Sequence, residues 1–271
     1  MKRIIAIVFM LIILCGCENQ ERPTLKVGFL NVGNADCQII TIKDKIIVVD
    51  TGLNSKRDYI FEFLKNNNIQ KIDALILTHF DKDHIGNAAE IINNYNIDLI
   101  YETSIKKSTE SKYYKAYREA VENKGNKVII IEDDLEFEFY GAKFKIYGPK
   151  SDFYLNNESN NSSLVLSINY YNSSFLFSAD IEKDRMREDL FDGIEKYDVL
   201  KIAHHGYYED NTYEYISAVK PKFSVISTST LNPPSPETIT KLYEIGSKVY
   251  LTNNGDVIIE TNGYSYKIKQ K

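Results

Sequence analysis

The chain has no tryptophan, and its 271 residues include only four histidines, three cysteines and six prolines. Three cysteines cannot build a disulfide framework, and no apolar run approaches the roughly 20 residues that a membrane-crossing helix needs. Neither a Walker-type nor a dinucleotide-type glycine loop is present, and no segment repeats with a period of roughly 20 to 50 residues. Basic residues are outnumbered 33 to 38, a net charge of −5, which argues against a broad basic nucleic-acid-binding surface. At 43% hydrophobic residues the chain can still bury a sizeable core, as one globular domain or two small ones.

The scarce histidines are concentrated in two places. His79 and His84 lie in Thr78-His79-Phe80-Asp81-Lys82-Asp83-His84-Ile85-Gly86, and His204 and His205 in Ala203-His204-His205-Gly206. The first stretch follows the apolar run Ala74-Leu75-Ile76-Leu77, so a strand delivers four metal-binding groups to a tight loop, with Gly86 letting the backbone turn behind them. Side chains two apart in an extended loop share a side. His79 and Asp81 are thereby expected on one ion, and Asp83 and His84 on a neighbouring one, giving one or two divalent metal ions.

Met1-Lys2-Arg3 followed by apolar residues 4–14 has the charged head and short apolar core of a secretory signal. It ends in Leu14-Cys15-Gly16-Cys17, which resembles the bacterial lipobox. Residues 1–16 are read as a lipoprotein signal peptide, Cys17 as the acylated first residue of the mature chain, 17–24 as a lipidated tether and 25–271 as the folded domain. The domain would then sit outside the cytoplasm, its membrane contact made through the lipid. Cys37 is left as the free thiol, and its setting in Cys37-Gln38-Ile39-Ile40 reads as a buried small hydrophobe rather than a nucleophile.

Short strands are expected at 25–30, 37–42 and 45–50, then a helix at 55–66 with Ser55 available as its N-cap. A strand at 72–77 feeds the histidine loop, helical spacing resumes over 86–95, and a helix at 111–124 is stopped by Gly125. A hairpin spans 135–147, and 156–163 reads as the longest polar loop. A second hairpin over 164–178 ends in Ala179-Asp180, and a buried strand at 199–203 delivers the second histidine pair. Helices at 182–191, 211–219 and 235–245 follow the same rhythm. Strand-rich halves that each end in helices suggest an α+β chain of two sheets packed face to face, with helices outside.

Six segments in order carry a resemblance to a known family. They are Phe29-Leu30-Asn31-Val32-Gly33 with Asp36, Asp50-Thr51-Gly52, the histidine loop, Ser163-Leu164-Val165-Leu166, Phe177-Ser178-Ala179-Asp180 and Leu200-Lys201-Ile202-Ala203-His204-His205-Gly206. Together they resemble the metallo-β-lactamase fold, and within it the extracytoplasmic hydrolase-like domain of ComEC-type DNA-uptake competence proteins. The resemblance implies an αββα four-layer sandwich of two mixed sheets. It implies that Asp180 bridges two metals and that His204 or His205 completes the second position beside Asp83 and His84. The assignment adopted is His205 as ligand and His204 as proton donor. Asp50 is read as an acceptor that orients a ligand without touching the ion.

Three departures matter. Asp81 stands where many enzymes of the fold have a second histidine, and a hard carboxylate there shifts preference towards manganese, iron or a weaker zinc site. No histidine lies between His84 and His204, so the first position lacks its usual third imidazole. Pro233 replaces a histidine common in ComEC-type sequences. The expected function is a metal-dependent hydrolase, with zinc or manganese, acting on a phosphodiester of nucleic acid or of the cell envelope. Asp83 and Asp180 would hold the attacking water and His204 would protonate the leaving group. A lipid-anchored binding protein with a degenerate site is the alternative.

Cys17→Ser is expected to release the protein from membranes or leave an unprocessed precursor. A variant that fractionates and migrates like the wild type would remove the basis for a lipid anchor.

Overall fold

In Ser173–Phe177, Phe175 and Phe177 point to one side of the strand and Leu176 to the other, and both sides are buried. Two-sided burial recurs through the central strands, so each sheet has to be covered on both faces. The computed structural model, which describes residues 22–105 and 111–271, meets that demand with four layers. The expected signal peptide and Cys17 lie outside the described residues.

Strands β1 (Leu25–Phe29), β2 (Gln38–Ile42), β3 (Lys45–Val49), β4 (Lys71–Leu77), β5 (Asn96–Thr103) and β6 (Val128–Ile131) lie side by side in chain order. They are antiparallel as far as β3 and parallel from there on. The second sheet repeats that plan with β7 (Leu135–Phe139), β8 (Ala142–Tyr147), β9 (Val165–Tyr170), β10 (Ser173–Phe177), β11 (Val199–Lys201), β12 (Phe223–Ile226) and β13 (Lys248–Leu251), antiparallel as far as β10 and parallel beyond. β14 (Val257–Thr261) and β15 (Tyr266–Gln270) return to the first sheet, where β14 pairs with β1 and sets Leu25 opposite Thr261.

Phe29, Ile40, Ile76, Phe144, Ile168, Phe175 and Val225 fill the space between the sheets. Outside the first sheet lie α1 (Arg57–Asn66), α2 (Lys82–Ile85), α3 (Ala88–Asn94) and α4 (Lys112–Lys124), which cover Val48 and Leu75 with Ile60, Ile85, Ile91 and Tyr117. On the second sheet, α5 (Glu158–Asn161) precedes β9, and α6 (Lys183–Phe191), α7 (Thr212–Val219) and α8 (Pro236–Glu244) cover Leu176 and Leu200 with Met186, Ile216 and Leu242. Both sheets are parallel at β3–β4 and β10–β11, so the loops after these four strands emerge at one edge, where an α/β sheet gathers its ligands.

Two local expectations are corrected. Ser55 is not a cap, because residues 54–56 form a tight turn and α1 starts at Arg57 with no side-chain cap. Ser111, by contrast, accepts the Tyr114 amide at 3.1 Å and Gly125 closes α4 at φ 65°. The polar stretch 156–163 is only partly a loop: α5 lies within it, and 159–163 are buried. Its amides repay burial with bonds, Asn161 Oδ1 accepting the Glu182 and Arg185 backbone N–H groups at 3.1 Å each.

Gly86 is required for a reason other than a left-handed turn. Its φ is −55°, which any residue adopts, but a Cβ there would meet the Gly52 carbonyl and stand 2.6 Å from Asn54 N. Those are backbone atoms of the segment after β3, and they cannot swing aside. Gly86→Ala is expected to cost about 3 kcal/mol or more, the upper end of overpacking penalties. Denaturant unfolding measures this, and an unchanged midpoint would falsify the close-approach argument.

Candidate metal centre

Each buried histidine is aimed by what holds its δ nitrogen. Asp50, after β3, accepts the Thr78 amide at 2.8 Å and the Thr78 hydroxyl at 2.7 Å, and its Oδ2 lies 2.7 Å from His84 Nδ1. His84 therefore turns Nε2 inward, 3.2 Å from Asp180 Oδ2. From the second sheet, His205 Nδ1 is 2.9 Å from the Ser227 carbonyl, which can only accept, so the proton is on Nδ1 and Nε2 faces the centre. That Nε2 lies 3.2 Å from the same Asp180 oxygen and 3.5 Å from Asp83 Oδ2. His79 rests Nδ1 against the Thr78 and Ser163 hydroxyls at 3.2 Å each, with its ring 4.0 Å from that of His84.

Ligand atoms of Asp83, His84, Asp180 and His205 all lie within 4.8 Å of one another. The Nε2 atoms of His79, His84 and His205 are buried and find no hydrogen bond of acceptable geometry in the protein. Orphaned buried nitrogens gathered around a carboxylate are costly until a cation takes the space between them. Imidazoles mixed with carboxylates are the donor set of zinc, manganese and iron centres, so the residues present fit a divalent ion.

Not every expected residue joins that group. Of the expected ligands, His79 and Asp81 lie outside the four, Asp81 with its Oδ1 taking the Ser159 hydroxyl at 2.7 Å. His204, expected as a proton donor and not as a ligand, is one-fifth exposed at the mouth and sets Nδ1 3.3 Å from Glu182 Oε1 and 3.9 Å from Glu209 Oε1, with Asn160 Nδ2 3.3 Å from Nε2. Strand alternation is not what separates the pair. β11 ends at Lys201, and His204 and His205 both take left-handed backbone, φ 45° and 53°. Asp50 (φ 56°) and Ala179 (φ 45°) do the same. Four non-glycine residues in that region cost about 1–3 kcal/mol each, strain held in the loops that carry Asp50, Asp180 and His205 into the site.

Lys201 is the functional residue that motif reading passed over. Wholly buried, it donates to the Ala179 carbonyl at 2.8 Å, lies 3.5 Å from Asp180 Oδ1 and is ion-paired with Asp36. Its signal was a lysine inside the apolar run Val199-Leu200-Lys201-Ile202-Ala203. The Pro233 loop also closes on the centre, since Ser235 N donates to the Gly206 carbonyl at 3.0 Å and a Cβ on Gly206 (φ 79°) would stand 2.7 Å from Pro234 Cβ.

Burial opposes a charge on His205, but Asp180 and Asp83 outweigh it and push its pKa up to about 9. The same contest, with Asp180 and Asp50 as partners, raises His84 well above the ordinary value. His79 is buried beside His84 and is pushed down to about 3. Asp180 is held well below the carboxylate range, since His205, His84 and Lys201 overcome its burial.

Residues 30–230 match the Metallo-beta-lactamase superfamily. The chain is 32% identical over 177 residues to ComE operon protein 3 of Bacillus subtilis (strain 168), covering 63% of this chain and 22% of that protein. It is 27% identical over 252 residues to Ribonuclease J of Mycoplasma genitalium, covering 89% and 40%. This chain thus spans less than half the length of either relative. In structure it is similar to the metallo-beta-lactamase fold protein YhfI of Bacillus subtilis, with a TM-score of 0.61, 12% identity and coverage of 88% and 100%.

Without an ion, His84 and His205 carry protons at neutral pH, and each ε nitrogen has to lose one to ligate. Binding is therefore expected to release protons and to tighten as pH rises towards about 9. Calorimetric titration with Zn²⁺ in buffers of different protonation heat tests this; a binding heat that is the same in every buffer excludes it.

Proposed function

The chain belongs to the metallo-beta-lactamase superfamily, and from that premise we propose that it is a metal-dependent hydrolase of phosphodiesters, held on the outer face of a membrane by lipid on Cys17. The observation that carries the reading is the pair of orphaned ε nitrogens of His84 and His205, each 3.2 Å from Asp180 Oδ2, with the orphaned, buried His79 ring packed against that of His84. A relative named as a ribonuclease supports a phosphodiester as the bond attacked. The net charge of −5 favours short or isolated phosphodiesters, of nucleic acid or of the cell envelope, over long duplex.

Asp83, His84, Asp180 and His205 would hold one ion, zinc or manganese. His79 and Asp81 would hold a second more weakly, because Asp81 is already engaged by Ser159. A bound ion supplies a Lewis acid and a water whose pKa falls from 15.7 to roughly 7. Asp83, partly exposed beside His205, would with Asp180 hold the attacking water in line, the proton of that water passing to solvent. His204, steadied at the mouth by Glu182 and Glu209, gives a proton to the leaving oxygen. Asp50 and the Ser227 carbonyl keep His84 and His205 in place, so neither ring has to reorient as charge develops. The engagement of Asp81 by Ser159 also favours the alternative, a lipid-anchored binding protein with a degenerate site.

Purified protein loaded with manganese or zinc is expected to hydrolyse bis(p-nitrophenyl) phosphate. Asp180→Ala and His205→Ala should lose bound metal together with activity. His204→Ala should keep metal and lose rate by about 10²- to 10⁴-fold, the range for a general acid. Metal retained in Asp180→Ala contradicts the ligand assignment, and a metal-loaded protein inert towards this diester and towards oligonucleotides leaves the binding-protein reading.

A further inference from the structure

The end of the sandwich remote from the metal centre is made of hairpin turns with aromatic and basic tips. Lys43 in the β2–β3 turn, Tyr140 in β7–β8 and Tyr171 in β9–β10 all take left-handed backbone, and Tyr264 sits in the β14–β15 turn. These turns touch. The Tyr140 hydroxyl donates to Asp44 at 2.5 Å, Lys43 Nζ lies 4.4 Å over the Tyr140 ring, and the Tyr171 and Tyr264 rings stack at 5.9 Å. The Asn172 amide donates to the Gly263 carbonyl at 2.8 Å. Even so the three rings stay 42%, 53% and 52% exposed.

The described chain starts at this same end. The Arg22 guanidinium lies 4.7 Å from the Tyr171 ring and 4.6 Å from the Tyr264 ring, and the Pro23 carbonyl accepts the Tyr170 hydroxyl at 2.6 Å. Strand β1 leads from there towards Asp36 and the ion-binding group, and the rise from Ser173 to Phe177 along β10 alone is about 13 Å. Five residue steps separate Cys17 from Arg22, so a lipid on Cys17 is tethered within about 18 Å of these rings.

Resting on the lipid-anchor reading, we propose that the tyrosine-tipped end is a membrane-docking surface. Tyr140, Tyr171 and Tyr264 enter the headgroup layer, Arg22 and Lys43 meet anionic lipid phosphates, and the metal centre opens away from the bilayer. Tyrosine suits that depth because its ring is apolar and its hydroxyl polar. Asp44 is the one carboxylate in residues 22–24 and the four turns, its oxygen occupied by the Tyr140 hydroxyl, and Asp73, Asp98 and Asp198 at the same end are paired with Lys45, Lys71 and Lys222.

The absence of tryptophan makes the test direct. Tyr171→Trp and Tyr264→Trp, made singly in the full lipidated chain and reconstituted into phosphatidylglycerol–phosphatidylethanolamine vesicles, each give one fluorophore. Tyr208→Trp, 44% exposed and close to the histidine pair, is the control. Brominated phospholipid is expected to quench Trp emission about twofold or more at 171 and 264 and to leave 208 unquenched, as an interfacial belt requires. Vesicle flotation and the mass of the N-terminal peptide report the anchor separately. A lipidated, vesicle-bound protein unquenched at 171 and 264, or quenched at 208, overturns the docking surface and leaves the anchor intact. A chain that carries no lipid and stays in solution overturns the anchor, and this orientation with it.

Discussion

Asp36, Asp50, Asp83 and Asp180 converge where the two sheets meet, and all but Asp83 are closed to water. Lys201 is the permanent cation buried with them. A carboxylate taken out of water without a partner costs several kcal/mol, so the surplus negative charge has to be answered. Side chains answer it by raising His84 and His205 into their protonated forms. A divalent ion answers it more fully and lets both rings ligate as neutral bases. The rest of the architecture leans on this balance, since Asp50 and His84 come from the first sheet and Asp180 and His205 from the second. With the charge unanswered, the two halves meet across repelling carboxylates.

Alternation made the sheets legible. Phe175, Leu176 and Phe177 face the two cores in turn, and short β-branched runs between turn residues marked most strands. Local chemistry marked α4 equally well, because Ser111 and Gly125 act through neighbours one turn away. Ser55 misled because a competing tight turn took residues 54–56, an outcome decided by packing and not by propensity. The asparagine- and serine-rich 156–163 misled because its polarity is spent internally, on Glu182, Arg185 and His204 rather than on water.

For the site, residue type and spacing drew attention to Asp83, His84, Asp180 and the histidine pair, since few side chains supply such donors at strand ends. Where each side chain points was not legible. Left-handed backbone at Asp50, Ala179, His204 and His205 is imposed by tertiary context, and nothing in a histidine pair says that one ring faces inward and its neighbour faces Glu182. The Ser227 carbonyl that aims His205 is a backbone atom, invisible to any motif. Lys201 left only the trace of a charge in an apolar strand.

Leu25 pairs with Ile42 on one side, but its partner on the other is Thr261. A chain that emerges N-terminus first has the histidine loop of the first sheet in hand long before Asp180 or His205 exists, and β1 waits for an outer neighbour until nearly the last residues arrive. Contacts that span most of the chain form slowly, because the entropy of closing so long a loop comes due before any contact rewards it. The four side chains of the candidate centre thus meet late, after the first half has stood with an unpaired strand edge and a nest of carboxylates facing empty space. During that interval Asp83 and His84 are already made, and an ion captured there would sit on half a site before its second half exists.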